Sequence, residues 1–264
     1  MSTDITSSSN PRARYVRRLA SRAFRAREGK MVLEGVRLVE EALAAGAVFD
    51  FALTTAELEA GARGRRLARA LAERRTATYR VPEALLAALA DTVTPQGVLA
   101  VVAQPCLPLP ARPTAVLVLD GLRDPGNVGT CLRSALAAGV DAALLGPNTA
   151  DPSNAKAVRA AGGAHFRLPM ARAAWSDTAR RCRAAGLEVR VADAGGSADY
   201  AAIDWRRPFA LVIGGEADGP SGAARALCTT TVRVPMPGGA ESLNAAAAAA
   251  VILFEAARQR RQAC

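Results

Sequence analysis

Residues Val234–Arg260 read VPMPGGAESLNAAAAAAVILFEAARQR, which is the end of an apolar strand, a Gly/Pro loop and a long Ala-rich helix. The loop places Ser242 and Asn244 at the entrance of the helix, where free backbone N–H groups and side-chain oxygens converge. The same plan occurs upstream, where Leu119–Val140 reads LDGLRDPGNVGTCLRSALAAGV. Both segments therefore predict an α/β element with a polar loop at the carboxyl end of a strand.

A third apolar strand, in Leu211–Ser221 (LVIGGEADGPS), ends in a Gly-rich turn that carries one carboxylate, Glu216. Ligands of α/β sheets bind at the carboxyl ends of parallel strands. The three loops therefore predict one ligand site, to which the upstream segment contributes Asn127 and Arg133.

The three segments resemble motifs one, two and three of the SpoU (TrmH-like) class of SPOUT RNA methyltransferases, which transfer a methyl group from S-adenosylmethionine to a ribose 2′-hydroxyl. The matching residues are, motif by motif, Asn127-Val128-Gly129 with Arg133, Gly214-Gly215-Glu216 with Gly219, and Pro235-Met236 with Ser242-Leu243-Asn244. The order and spacing of the motifs also fit. More loosely, Lys30–Gly46 and Thr94–Val102 look like the substrate-binding domain of that class.

Apolar runs alone predict a doubly wound parallel α/β sheet in the C-terminal part. The resemblance implies a C-terminal parallel-sheet α/β trefoil-knot (SPOUT) domain, preceded by a small α/β ribosomal-protein-like domain. Threaded chains are rare, so general topology rules alone would reject the knot. The resemblance also implies a homodimer with its sites at the interface of the two copies.

The 264 residues are long for one compact core and sufficient for two domains. Residues 105–113 (PCLPLPARP) contain four prolines, which block both helix and central strand and predict a linker. We therefore predict a disordered N-terminus over 1–11, an RNA substrate-binding domain over 12–104, and a SPOUT methyltransferase domain over 114–264.

Periodicity predicts alternating helices and strands in the N-terminal domain, beginning with one basic helix over 12–28. The further predicted helices are 35–45, 58–74 and one opened by Pro82, with strands at 49–54, 77–81 and 97–103. The predicted strands of the C-terminal domain are 115–121, 142–145, 189–192, 210–214 and 231–234.

The formal net charge of +10, from 34 Lys and Arg against 24 Asp and Glu, favours a polyanionic partner such as RNA. Arg22 and Arg25 of the basic helix are candidates for RNA-backbone contacts, and Arg123 is a third. The alternative for the basic helix is a solvated face. Ribosomal RNA is favoured over tRNA by analogy, because an appended N-terminal domain of this kind recurs among rRNA enzymes.

The five cysteines are scattered without a CxxC pair, and one histidine leaves no Cys/His set for a metal. Scattered thiols suit a reducing cytosol, and the polar N-terminus has no apolar signal core. No apolar run reaches the roughly 20 residues that span a bilayer. These features predict a cytoplasmic protein that binds neither metal nor membrane.

For the cofactor, glycine lets a backbone approach a ligand without a Cβ in the way, although a tight turn uses glycine as well. The resemblance implies S-adenosylmethionine bound mainly through the backbone of the motif two and three loops, with Pro235 and Met236 shaping the adenine pocket. The cofactor-binding residues implied in this way are Gly214, Gly215, Val234, Pro235, Met236 and Leu243.

For catalysis, the resemblance makes Arg133 the principal residue. A free guanidinium keeps its proton at ordinary pH, so a fixed cation that stabilises developing alkoxide charge is easier to accept than a base. Glu216 could pair with Arg133 or accept a substrate hydroxyl. Asn127 and Ser242 could each be a helix N-cap, a catalytic hydrogen-bonding group, or both, and Asn244 could orient a loop or a ribose hydroxyl.

Two other classes of protein compete with this interpretation. A catalytically silent RNA-binding relative would be expected to have lost some of Arg133, Glu216, Ser242 and Asn244, all of which are present. A nucleotide-dependent oxidoreductase would need a G-x-G-x-x-G sequence after a strand, and the chain has neither that sequence nor a P-loop. The leading prediction is an S-adenosylmethionine-dependent RNA 2′-O-ribose methyltransferase.

Overall fold

The computed structural model describes residues 3–216 and 218–262, and the chain divides into two compact units. Unit 1 comprises Met1–Pro105 and Ser153–Phe166, and unit 2 comprises Cys106–Pro152 and Arg167–Cys264. The sequence expectation placed 153–166 with the C-terminal domain.

Unit 1 contains a five-stranded mixed sheet with the order β1-β4-β3-β5-β2, in which β5 is antiparallel to both of its neighbours. The strands are β1 (Thr3–Asp4), β2 (Lys30–Glu34), β3 (Phe49–Thr54), β4 (Thr78–Arg80) and β5 (Val98–Ala103). The helices that precede the linker are α1 (Pro11–Arg18), α2 (Arg22–Glu28), α3 (Val36–Ala44), α4 (Ala62–Glu73) and α5 (Glu83–Leu89). Apolar cores lie on the two faces of this sheet.

The N-terminal residues 3–11 are ordered, so the prediction of a disordered segment is wrong there. β1 pairs with β4, and the buried Ile5 donates its N–H to Arg80 O at 2.8 Å. Asn10 then caps α1 by accepting from Arg12 N at 2.9 Å. Ile5, directly after β1, packs into the apolar core of unit 1 and so anchors this segment. Residues 1 and 2 of the predicted segment lie outside the described residues.

The single basic helix predicted over 12–28 is also wrong, because α1 ends at Arg18 and α2 begins at Arg22. Arg25 Nη1 donates to the carbonyls of Leu19 and Ala20, each at 2.7 Å, and Arg25 is buried. A buried arginine therefore stabilises the break between the two helices. The strand β2 lies in a segment for which periodicity predicted no strand.

Unit 2 contains a seven-stranded sheet with the order β10-β12-β9-β11-β6-β7-β8, and each of these strands is parallel to its neighbours. The strands are β6 (Ala115–Asp120), β7 (Ala142–Leu145), β8 (Met170–Arg172), β9 (Glu188–Ala192), β10 (Ala198–Asp199), β11 (Phe209–Gly214) and β12 (Thr230–Arg233). Its helices are α6 (Pro125–Ala137), α8 (Trp175–Ala184), α9 (Gly222–Leu227) and α10 (Ala245–Gln262). The parallel sheet predicted from the apolar runs is confirmed, and β8 and β10 are additional short strands.

The intervening helix α7 (Ala155–Ala161) packs on β2 within unit 1. Arg159 of α7 pairs with Glu34 at 3.5 Å and with Asp91 at 2.6 Å. These ion pairs explain why the segment belongs with residues that are distant in sequence. None of the helices in the described part of the chain is long and apolar enough to cross a membrane.

Candidate active site

A cleft of about 410 Å³ opens at the carboxyl ends of the strands of unit 2. The strands that end there are neighbours in the sheet in the order β12-β9-β11-β6. Residues 214–216 follow β11, residues 192–194 end or follow β9, and residues 242–245 lead into α10. The parallel register brings these loops together, as expected for ligand sites in such sheets.

Three side chains from the three sequence motifs form one hydrogen-bonded cluster at this cleft. Asn127 Nδ2 donates to Glu216 Oε1. Asn244 Nδ2 lies 3.1 Å from Asn127 Oδ1 and 3.1 Å from Glu216 Oε1. One carboxylate oxygen therefore accepts from both amides, and we call these residues the Asn–Glu–Asn cluster.

The helix caps decide between roles that the sequence left open. Asp124 caps α6 by accepting from Asn127 N at 2.9 Å, so Asn127 is not the N-cap and its side chain is available to the cluster. Asn244 Oδ1 accepts from Ala246 N at 2.9 Å and from Ala247 N at 3.2 Å, so it caps α10. The N-cap alternative for Ser242 is wrong, and Ser242 instead lines the cleft.

Arg133 does not join the cluster within one chain. It is exposed on α6 and has no hydrogen bond or ion pair with any described residue, so the pairing with Glu216 is not formed. Six residues along an α-helix correspond to about 240° of rotation and about 9 Å of rise. Asn127 and Arg133 therefore point to different sides of the helix.

The loop after β11 is fixed by its own backbone. Gly219 has φ +62° and donates its N–H to Gly215 O at 2.9 Å, and a Cβ on Gly214 would lie 2.4 Å from Pro220 N. The buried Asp120 accepts from Ser221 N at 2.7 Å and anchors the far end of the turn. The tight turn alone therefore requires glycine at 214, and it also exposes backbone to the cleft.

The other wall of the cleft is apolar. Val234, Met236, Leu243 and Ile252 line it, whereas Pro235 is exposed and is not a lining residue. The volume lies within the range of small-molecule sites, roughly 300–1,000 Å³. These features suit S-adenosylmethionine. The apolar wall can contact the purine, the exposed loop backbone can form hydrogen bonds, and the carboxylates can bind hydroxyl and cationic groups.

Sequence reasoning missed one polar pair in the cleft. Asp193 Oδ2 lies 2.6 Å from Arg225 Nη2, and both residues line the cleft. Asp193 stands directly after β9 and before the glycines of VADAGG. This is the same signal, a polar residue at the end of an apolar strand, that singled out the other three loops.

The predicted RNA-binding arginines have different surroundings. Arg22 is exposed and has no polar partner among the described residues, whereas Arg25 is buried against backbone carbonyls, so the RNA contact predicted for Arg25 is wrong. Arg123 is exposed and pairs with Asp218 at 3.0 Å. A surface pair of this kind contributes little stability, so a phosphate can displace it.

Cys131 on α6 is a buried free thiol close to the cluster. Burial, together with the nearby Glu216 carboxylate, raises the pKa of Cys131 to about 12, so the thiolate does not form at ordinary pH. Within residues 3–216 and 218–262, no group of three or more His, Cys, Asp or Glu is arranged to hold a metal ion.

A parallel α/β sheet with a cofactor-sized cleft and a polar cluster at its carboxyl edge is the arrangement expected of a SPOUT-type methyltransferase domain. Residues 114–254 match the SpoU rRNA Methylase family, and residues 10–100 match the MRM3-like substrate binding domain. The chain belongs to the SpoU rRNA methylase family.

Relatives and solved structures agree with this assignment. The 23S rRNA (guanosine(2553)-2′-O)-methyltransferase RlmP of Bacillus subtilis is 34% identical over 95% of this chain and 97% of its own length. A 23S rRNA (uridine(2479)-2′-O)-methyltransferase of Streptomyces viridochromogenes is 35% identical over 92% of this chain and 87% of its own length. The AdoMet-bound rRNA methyltransferase of Sinorhizobium meliloti superposes with a TM-score of 0.84 at 32% identity and covers 97% of both chains.

These findings confirm the SpoU-class assignment, the SPOUT fold with its N-terminal substrate-binding domain, and S-adenosylmethionine as the cofactor. The roles of the individual site residues and the domain boundaries stay predictions.

Proposed function

We propose that the protein transfers a methyl group from S-adenosylmethionine to a ribose 2′-hydroxyl of ribosomal RNA. Two of the similar proteins are named for 23S rRNA, one for a guanosine and one for a uridine of it. The observation that carries the proposal is the Asn–Glu–Asn cluster, since it places a held carboxylate at the rim of a cleft that suits the cofactor.

The bound cofactor supplies an activated methyl group on a positively charged sulfur. The two asparagine amides hold Glu216 through Oε1 and leave Oε2 without a hydrogen-bond partner among the described residues. Oε2 is then available to accept a hydrogen bond from the ribose 2′-hydroxyl, to orient its oxygen toward the methyl group, and to take the proton that the hydroxyl loses as the methyl group moves from sulfur to oxygen. Neutral amides add no charge, so the carboxylate also favours a cation beside it.

We assign Arg133 to the site of a second copy of the chain in a homodimer. The support is that Arg133 is exposed on α6 and points away from the cluster of its own chain. α6 packs against α10, and α10 leaves Val251 and Phe254 exposed, by 37% and 49%. Large apolar side chains at i and i+3 on one exposed helix face are typical of an interface.

RNA binding by unit 1 is assigned to the exposed arginines of α1 and α2. Arg14, Arg17 and Arg22 are exposed and form no ion pair with a described residue. Arg25 is the matched control for these residues, because its guanidinium already donates to the carbonyls of Leu19 and Ala20. A cytoplasmic location remains part of the proposal.

Paired variants test this RNA surface. Arg22→Ala should lower the slope of log affinity against log salt by roughly 0.7 to 0.9 and leave folding unchanged, since a phosphate contact releases counterions. Arg25→Ala should instead lower the free energy of unfolding by about 1–3 kcal/mol, because two carbonyls lose their donor. An unchanged salt slope for Arg22→Ala would mean that this face is a solvated surface that does not contact RNA.

The proposed reaction is tested by mapping ribose methylation in total RNA from cells with and without the gene. Loss of one 2′-O-methyl mark in large-subunit rRNA, restored by the wild-type gene but not by Glu216→Gln, supports the proposal. An rRNA methylation map that is unchanged by deletion, or a lost mark that lies in tRNA, contradicts it.

A further inference from the structure

The ion pair between Asp193 and Arg225 lies on the other side of β11 from Asn127. Asp193 follows β9, which stands between β12 and β11, whereas Asn127 follows β6. Asp193 Oδ2 contacts Arg225 at 2.6 Å, and Oδ1 accepts from Gly195 N at 2.9 Å. A carboxylate has about four lone-pair sites, so two acceptor positions remain for a ligand in the cleft.

The turn that carries Asp193 is fixed on both sides. Asp193 N donates to Val232 O at 2.9 Å, and Gly196 N donates to Asp193 O at 3.0 Å. Arg233 Nη1 donates to Gly196 O at 2.8 Å, and a Cβ on Gly196 would lie 2.6 Å from Val232 C. The carboxylate is therefore oriented before any ligand arrives, which reduces the entropic cost of binding.

The order of groups in the cofactor matches the order of strands along the cleft. In S-adenosylmethionine the sulfur is bonded to the ribose, and the ribose to adenine. The reacting methyl belongs beside the Asn–Glu–Asn cluster after β6 and β11, and the apolar Val234 and Met236 follow β12. Neighbouring strands are about 4.8 Å apart. The position after β9 lies between the cluster and the apolar residues that follow β12, so we expect the ribose to lie there.

The charge at Asp193 also suits a neutral group. Arg225 compensates the Asp193 carboxylate at 2.6 Å, whereas Glu216 is held by neutral amides and has no ion pair with a described residue. A charge-compensated carboxylate still accepts hydrogen bonds but gains little from a cation. Hydroxyl groups are therefore the ligand chemistry that fits Asp193.

We infer that Asp193 binds the ribose of the cofactor by accepting hydrogen bonds from its 2′- and 3′-hydroxyls, and that Arg225 is the residue that positions it. The inference rests on the proposed function, because it takes S-adenosylmethionine as the ligand of this cleft.

Calorimetry on the full-length protein tests the inference without turnover. The ligands are S-adenosylhomocysteine, its 2′-deoxy and 3′-deoxy analogues, and 5′-methylthioadenosine, which keeps the hydroxyls but lacks the amino-acid group. Wild-type protein should bind at least one deoxy analogue about 10- to 100-fold more weakly than S-adenosylhomocysteine, as expected for a hydrogen bond to a charged acceptor. This comparison needs no variant.

Asp193→Asn preserves the size of the side chain and the acceptor for Gly195 N. The variant should bind S-adenosylhomocysteine and 5′-methylthioadenosine more weakly than wild type does, by a similar factor for both. The loss of affinity that the deoxy analogues show relative to S-adenosylhomocysteine should fall to a few-fold. Arg225→Met should reduce the same penalty, and Arg225→Lys should retain part of it. Asp204→Asn is the matched control, because Asp204 pairs with Arg206 at 2.7 Å outside the cleft. This variant should bind all four ligands with wild-type affinity.

Three results would overturn the inference. Equal binding of all three homocysteine ligands by wild type would mean that the hydroxyls meet no charged acceptor. A loss in Asp193→Asn that is confined to S-adenosylhomocysteine, with 5′-methylthioadenosine unaffected, would assign Asp193 to the amino-acid group. An Asp193→Asn penalty that is the same for hydroxyl and deoxy ligands would make Asp193 structural. Failure of wild type to bind any of these ligands would contradict the proposed function as well.

Discussion

The two carboxylates of the cleft are held in different ways. Glu216 accepts from the amides of Asn127 and Asn244, which come from two other segments, and is exposed. Asp193 is held within its own turn and by the guanidinium of Arg225. Neutral partners leave a charge in place, whereas a cationic partner compensates it. This difference is the basis of the proposed division, in which the Glu216 end serves the reaction and the Asp193 end holds the cofactor.

The largest expected effect concerns Arg133. Arg133→Ala should slow single-turnover methyl transfer ~10²–10³-fold, since one charge-stabilising contact is lost at the reacting group. Cofactor affinity should stay within about threefold, because backbone and Asp193 hold the cofactor. Lys should rescue poorly, because a point charge does not replace a planar fork. Loss of cofactor binding would instead make Arg133 structural.

A mixed dimer shows whose site Arg133 serves. Mixing Arg133→Ala with Glu216→Gln protein should restore roughly a quarter of wild-type activity, because half of the dimers are mixed and one of their two sites is complete. Each variant alone is the control. No restoration in a sample shown to exchange subunits would place Arg133 in the site of its own chain.

A smaller effect separates the two roles of Asn244. Asn244→Ala removes the donor to Glu216 and the cap of α10, so transfer should slow ~10²-fold, as for a lost catalytic contact. The free energy of unfolding should also fall by about 1 kcal/mol, as for a lost N-cap. Asn244→Asp keeps a good cap but sets a like charge beside Glu216, and should therefore restore stability without restoring the rate. Recovery of both quantities would show that Asn244 acts only as a cap.

The third prediction concerns Gly214, whose substitution should affect both ends of the cleft. Gly214→Ala forces a Cβ to within 2.4 Å of Pro220 N, so the free energy of unfolding should fall by about 1–3 kcal/mol, and the rate and the cofactor affinity should both suffer. Gly238→Ala is the matched control, because nothing lies within 4 Å of its Cβ position. Thermal unfolding measures the stability of the two variants, and calorimetry measures their affinity for the cofactor. Equal stabilities would contradict the steric explanation of the turn.

The sequence predicted that Asn127, Glu216 and Asn244 would lie at one site, because each stands in a loop after an apolar strand or opens a helix. Parallel pairing then brings Asn127, Glu216 and Asn244 together. Asp193 was missed although it has the same signal, since its Asp-Ala-Gly-Gly run also fits an ordinary turn. Arg225 has no local signal, because only the fold brings it to Asp193.

Two further differences have a physical cause that the sequence does not display. Arg25 carries the same charge as its exposed neighbours, and only the break between α1 and α2 makes it a buried donor. The segment 153–166 follows β7 in sequence, yet the ion pairs of Arg159 bind it to Glu34 and Asp91 in unit 1. Long-range contacts decide both, and periodicity reports only local structure.

The division of the cleft is tested most directly by measuring two quantities on two isosteric variants, the equilibrium affinity for S-adenosylhomocysteine, whose sulfur carries no charge, and the single-turnover rate at saturating S-adenosylmethionine. Glu216→Gln should bind S-adenosylhomocysteine within about threefold of wild type and transfer the methyl group ~10²-fold more slowly. Asp193→Asn should bind about 10- to 100-fold more weakly and, once saturated, transfer at a rate within about threefold of wild type. The account is contradicted if both variants change the same quantity.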